Sequence, residues 1–166
     1  MKKEIKRISL MTAIFLTVAL VSSAVEAGVI PIDGTIAGSE SAAPFPNPAD
    51  GFYVNGSVTS TDTQLGPFTL FYSAPVDFAF PTEDTGASRL IVGDAANGDS
   101  ILTSYLGDNP GSCANGDLHI VETHTIVGGT GRYAGARGSF TLDRCLNFDT
   151  GETSGTIIGT IVVRGR

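Results

Sequence analysis

Tryptophan is absent from the chain, and its 166 residues include only two cysteines and two histidines. Its three lysines, Lys2, Lys3 and Lys6, all fall in the first seven residues. Each shortage removes a chemistry. A domain without lysine cannot form a Schiff base. Two Cys and two His offer none of the paired ligands that zinc sites use, so no metal site is expected. No Gly-Lys-Ser/Thr phosphate loop and no Gly-x-Ser-x-Gly nucleophile turn is present, and no cofactor motif is found. Beyond residue 27, apolar residues never repeat at helical spacing over three turns, so helix is expected to be almost absent.

The one long apolar run is Ile8–Val21, and it is only 14 residues. It follows Lys2, Lys3, Lys6 and Arg7 and ends in Ser22-Ser23-Ala24-Val25-Glu26-Ala27, which completes the three-part pattern of a secretory signal. About 20 apolar residues are needed to span a bilayer, so a cleaved leader is the better reading than an anchor. The cut is expected before Gly28. That makes residues 1–27 a helical signal peptide and 28–166 a single domain, secreted or periplasmic, with no membrane attachment after cleavage.

The leader removes four of the ten basic residues and two of the 17 acidic ones, leaving six Arg against 15 Asp and Glu, net −9. Such an acidic surface repels phosphate backbones and anionic headgroups, so nucleic acid is not an expected partner. Cys113 and Cys145 both lie in the exported part. Outside the cytoplasm a structural disulfide is expected, and two buried thiols are the alternative.

What the mature segment has is period-two alternation. Phe52, Val54 and Val58 alternate with polar neighbours, and so do Phe68, Leu70 and Tyr72. Strand patterns at Ser88–Asp94 and Ser100–Leu106 flank Asn97-Gly98, a pair suited to a hairpin turn. Three more cover Leu118–Val127, Ala136–Leu146 and Ser154–Arg164. The segment 38–48, with Pro44, Pro46 and Pro48, is expected to be an extended loop. Asn55-Gly56-Ser57 matches a glycosylation triplet, which is discounted because the short Lys-rich leader looks bacterial. Seven or eight short strands in one domain must hide their edges, by closing into a barrel or by forming a sandwich.

Gly128-Gly129-Thr130-Gly131-Arg132-Tyr133-Ala134-Gly135-Ala136-Arg137-Gly138 is the most distinctive stretch. It lies between two strand patterns and fails as a dinucleotide loop, since no helix follows. Gly128, Gly129, Gly131, Gly135 and Gly138 are expected to shape a wide turn, with Tyr133 tucked back to plug a barrel end. The segment resembles the Gly-Gly-Thr-Gly, aromatic, Ala-Arg-Gly turn of dirigent proteins and the related allene oxide cyclase barrels, most of all their secreted bacterial members. Ala96-Asn97-Gly98-Asp99 and the closing Gly155-Thr156-Ile157-Ile158-Gly159-Thr160-Ile161 are similar too, so the resemblance spans residues 87–164. It implies an all-β fold: a single eight-stranded antiparallel barrel with a lumen. The lumen residues of the plant enzymes cannot be placed on this chain, so no catalytic residue is assigned.

Candidate chemistry centres on His119, Glu122 and His124. Alternation splits them: Glu122 and His124 share the more apolar face with Ile120 and Ile126 and are expected inside, while His119 faces out. Arg144 alternates with Phe140 and Leu142, which aims it into the lumen as a partner for Glu122. Tyr105 is not assigned to either face by its neighbours. Glu122, His124, Arg144 and Tyr105 form the speculative ligand set; a purely structural polar pair is the competing account. The expectation is a non-enzymatic barrel that either holds a small apolar molecule or serves as a scaffold. A cyclase-like or dirigent-like enzyme and a surface or matrix interaction protein are the rivals.

Overall fold

The structure is a computed structural model that describes residues 28–60, 64–77, 83–93 and 98–164. The expected signal peptide and the Asn97 position of the hairpin turn lie outside the described residues. Strands β1 (Gly28–Pro44), β2 (Gly51–Ser60), β3 (Phe68–Asp77) and β4 (Glu83–Val92) are followed by β5 (Ser100–Ser112), β6 (Leu118–Thr130), β7 (Arg137–Leu146) and β8 (Glu152–Val163). Each pairs antiparallel with its successor, and β8 pairs with β1, so the sheet closes into a ring. The all-β reading therefore holds, and closure rather than a sandwich removes the edges.

The seam is made by β1. Gly28–Ser39 pair with β8, and Ile36–Pro44 pair with β2, so residues 36–39 are bonded on both sides. This corrects the expected loop at 38–48. Strand alternation continues through Glu40, and the prolines only end it: Pro44 is the last strand residue, where a missing N–H costs no ladder bond. β5 likewise runs past Leu106 to Ser112, with its register shift at Asp108/Gly111 accommodating Pro110.

Period two decides what is inside. At the end of the barrel that carries the β6–β7 turn, Ile32, Leu90, Ile101, Ile126 and Ile161 are at most 2% exposed. Room for larger residues comes from glycines on neighbouring strands. Gly56 sits opposite Tyr72, Gly86 opposite Tyr105, Gly155 opposite Arg144 and Gly159 opposite Phe140. A Cβ at Gly56 or Gly86 would collide with the tyrosine it faces, and one at Gly155 or Gly159 with the β7 backbone at Arg144 or Phe140. Alternating small and large residues is how a narrow barrel fills its taper.

The β6–β7 connection is one 3₁₀ turn, Gly131–Tyr133. Gly131 (φ +56°) and Gly135 (φ +75°) are left-handed, which a Cβ would strain. Gly128, Gly129 and Gly138 are not turn residues: β6 runs on to Thr130, pairing Gly128 with Leu102 and Gly129 with Ile101, and Gly138 lies in β7, paired with Ile126 and Ile161. The Asp99 carboxylate holds the turn by accepting the Arg132 backbone N–H at 2.8 Å and its Nε–H. Tyr133 is thereby folded into the core.

Candidate functional site in the barrel lumen

The polar interior is built around Arg144, on β7. Its Nε and Nη2 donate to the two Glu122 oxygens at 3.0 and 2.9 Å. Its Nη1 donates to Glu40 Oε1 at 2.6 Å and to Thr153 Oγ1 at 3.2 Å. The guanidinium also lies 5.0 Å from the centre of the Tyr72 ring. Glu122 is in register with Leu142, so Arg144 reaches it as a diagonal cross-strand neighbour on the same face. The fork-shaped pairing is the geometry that suits a guanidinium and a carboxylate.

His124 lies next to this cluster. Its Nδ1 is 3.0 Å from Thr103 Oγ1 and 3.2 Å from Ser88 Oγ, and these hydroxyls touch each other at 2.5 Å. Hydroxyls donating to Nδ1 leave the proton on Nε2, a tautomer assigned from this network. Nε2 stands 3.9 Å from Glu122 Oε2, beyond hydrogen-bond distance. The His124 ring is stacked between Tyr105, with centroids at 4.7 Å, and Phe140, at 4.6 Å.

These surroundings set the charges. Burial pushes the Glu122 carboxyl up, but the His124 ring and the charge and hydrogen bonds of Arg144 more than reverse this and hold it at about 2. Burial lowers His124 by more than Glu122 raises it, so the imidazole is neutral at pH 7. Burial raises the Tyr72 phenol far above its ordinary range, with Glu40 and Glu122 adding to the effect against Arg144. Burial works against the Arg144 charge, and Glu122 overrides it.

The four proposed lumen residues do meet. Glu122, His124 and Arg144 are at most 2% exposed and Tyr105 is 5% exposed, all inside the ring of strands. His119 faces outward as expected, 2.8 Å from Asp143 Oδ1. Sequence reasoning missed Glu40, Tyr72, Ser88, Thr103 and Thr153. Tyr72 was marked by its alternation with Phe68 and Leu70. Glu40 was marked by the even-numbered inward positions Ile32 and Ile36, a signal hidden by the prolines beyond it. Among the described residues, His124 Nε2, Tyr72 Oη and Glu40 Oε2 are buried without a hydrogen-bond partner. No group of three or more His, Cys, Asp or Glu side chains among them is placed to hold a metal ion.

Cys113 and Cys145 are joined, with Cα atoms 6.1 Å apart, tying the β5–β6 loop to β7 one residue from Arg144. The bond fits an oxidising compartment.

The ring is an eight-stranded antiparallel meander closed by its first and last strands, with a polar cluster in the lumen. Among solved structures, that of a pterocarpan synthase dirigent protein is similar, with a TM-score of 0.62 at 13% identity over 85% of this chain and 88% of that one. At that identity the likeness is one of fold. No family model and no curated protein matches the sequence.

Proposed function

We propose that this protein is an exported, non-enzymatic barrel that holds a small, mostly apolar molecule in the polar half of its lumen. One observation carries the reading: Glu40 Oε2, Tyr72 Oη and His124 Nε2 are buried together around Arg144 with no hydrogen bond of good geometry, Tyr72 turned to Glu40 and His124 to Glu122 within the same cluster. An unpaired buried polar group costs about 1–3 kcal/mol, so three in one cluster call for an explanation. A guest bearing one or two polar groups would satisfy them while its apolar body lies against the Tyr105, His124 and Phe140 rings. Tyr72 and Tyr105 are the rings a guest would displace, since each packs on a glycine, Gly56 or Gly86, rather than on a side chain. The disulfide supports the exported location.

A second reading, a filled scaffold, is favoured by the closeness of the packing: Phe140, Leu142 and Ile157 are at most 2% exposed. Native mass spectrometry of protein purified from its source separates the two. The binding reading expects a mass excess that disappears on denaturation and is absent from a Tyr72→Trp variant. The bare mass of the disulfide-closed chain, with no thermal shift from the apolar probe 1-anilinonaphthalene-8-sulfonate, would establish the scaffold instead. Turnover of a recovered guest would move the protein to the cyclase-like class.

A further inference from the structure

The lumen cluster is unequal in charge. Arg144 is its one cation, because burial holds the His124 ring neutral at pH 7. Two carboxylates face that one guanidinium. Glu122 has both oxygens on it, at 3.0 and 2.9 Å, whereas Glu40 offers it only Oε1, at 2.6 Å. Glu40 Oε2 is left buried with no hydrogen bond of good geometry, on a side chain that is 5% exposed, and the Tyr72 hydroxyl is turned towards that carboxylate. One negative charge is therefore in excess inside the barrel. A buried charge is costly unless an opposite charge meets it.

The approach to the cluster has the same sign. Glu40 is the first β1 residue beyond the β8 pairing, whose last pair is Ser39 with Glu152, so the cluster lies at the end of the barrel away from the β6–β7 turn. Asp117 and Asp149 stand in the loops at that end, Glu152 opens β8 there and Glu83 opens β4. Arg132, Arg137 and Arg164 are all at the turn end, and Arg89 is exposed on β4. Arg144 is the only Arg or Lys among the described residues of the cluster's half, and the chain between β3 and β4, 78–82, contains none either. A mouth lined by one sign of charge over low-dielectric walls draws in the opposite ion. The cation it suits is organic. Hard metal ions take six or more oxygen ligands, and no group of three or more His, Cys, Asp or Glu among the described residues is placed to hold one. An ammonium needs fewer acceptors: Glu40 Oε2 and the lone pairs of Tyr72 Oη can take two of its three N–H bonds, and its fourth substituent is free to be apolar.

We propose that the guest of the lumen is a protonated primary amine on an apolar body, its ammonium held by Glu40 Oε2 and Tyr72 Oη and its body lying against Tyr105, His124 and Phe140. This rests on the guest-binding reading and narrows it to one class of molecule. Calorimetric titration of the mature, disulfide-closed chain at pH 7 with 4-phenylbutylamine, 4-phenylbutanol and 4-phenylbutanoate tests it, because the three share one tail and differ in charge. The amine should bind about tenfold or more tightly than the alcohol, and the acid more weakly than either. Glu40→Gln should erase the difference between amine and alcohol while leaving alcohol binding unchanged. Asp33→Asn removes one exposed acid from the turn half of β1 and should leave the difference intact. Circular dichroism of each variant confirms that it is folded. Equal binding of amine and alcohol to the wild type would overturn the amine assignment and leave an apolar guest standing. A preference retained in Glu40→Gln, or lost in Asp33→Asn, would overturn it as well, since the general acidity of the domain would then be the cause. Binding of none of the three would overturn it too, and if the native mass is also bare, the guest reading falls with it.

Discussion

Arg144 bears more of the interior than any other residue. It satisfies two carboxylates and one hydroxyl in a space where each buried ion costs several kcal/mol of desolvation. Truncating it leaves Glu122 and Glu40 unpaired. Arg144→Leu should therefore lower stability by about 3–5 kcal/mol in urea melts. Adding Glu122→Leu should recover much of that loss, because an apolar pair replaces a broken ion pair. A double variant no more stable than the single one would show that Glu122 is not Arg144's main partner. This pair was legible in the sequence, since strand alternation alone places both residues on one face. Tyr105 was not: alternation puts it on one face with Ile101 and Thr103, but Leu102 and Leu106 make the opposite, outer face apolar too, so composition does not say which face is inside.

The β6–β7 turn shows how one short element uses several kinds of residue. Gly135 is left-handed and a Cβ there would meet only Arg164 Cδ, in ordinary contact at 3.9 Å, so Gly135→Ala tests backbone conformation and should cost about 1 kcal/mol. Gly138 has positive φ, and a Cβ there would strike the Thr160 carbonyl, so Gly138→Ala should cost more. Tyr133→Ala removes a core ring and should cost about 3 kcal/mol. Thr123→Ala, exposed on β6, is the near-neutral reference. Should Tyr133→Ala melt like Thr123→Ala, the turn is not part of the core. The glycine density made this element readable from the sequence, but its boundaries were misplaced. Gly128 and Gly129 belong to the strand because Gly129 is pressed between the Tyr133 and Ser100 carbonyls, a tertiary constraint that local spacing does not encode. The same limit applies to Glu40, whose inward position depends on pairing with β2 and β8 rather than on its proline-rich surroundings.

For the whole molecule, acid acts through two buried groups with the same sign. His124 is lowered in the folded state from 6.5, so unfolding takes up a proton as the pH falls below that value. Glu122 is lowered from 4.5 to about 2, so its contribution is full above 4.5 and is lost as the pH falls towards 2. Acidification should therefore reduce the urea midpoint in two stages, first below 6.5 and then below 4.5. His124→Asn should lack the first stage. Relief of the net negative charge acts in the opposite direction, so a midpoint that rises between pH 7 and 5 would show that surface repulsion outweighs the lumen.

The way the ring is closed also determines when it can form. Residues 28–39 of β1 find their β8 partners only among residues 152–163, at the far end of the chain. No partial product can seal the seam, however many hairpins it has already made. Such distant pairing is slow to nucleate, on the order of milliseconds to seconds in small all-β domains. Until the final strand arrives, the two edges of the sheet remain open and the polypeptide stays loose enough to be threaded. The disulfide joins Cys113 and Cys145, both made before β8, so it can close while the seam is still open and ties β7 to the β5–β6 loop ahead of the final pairing.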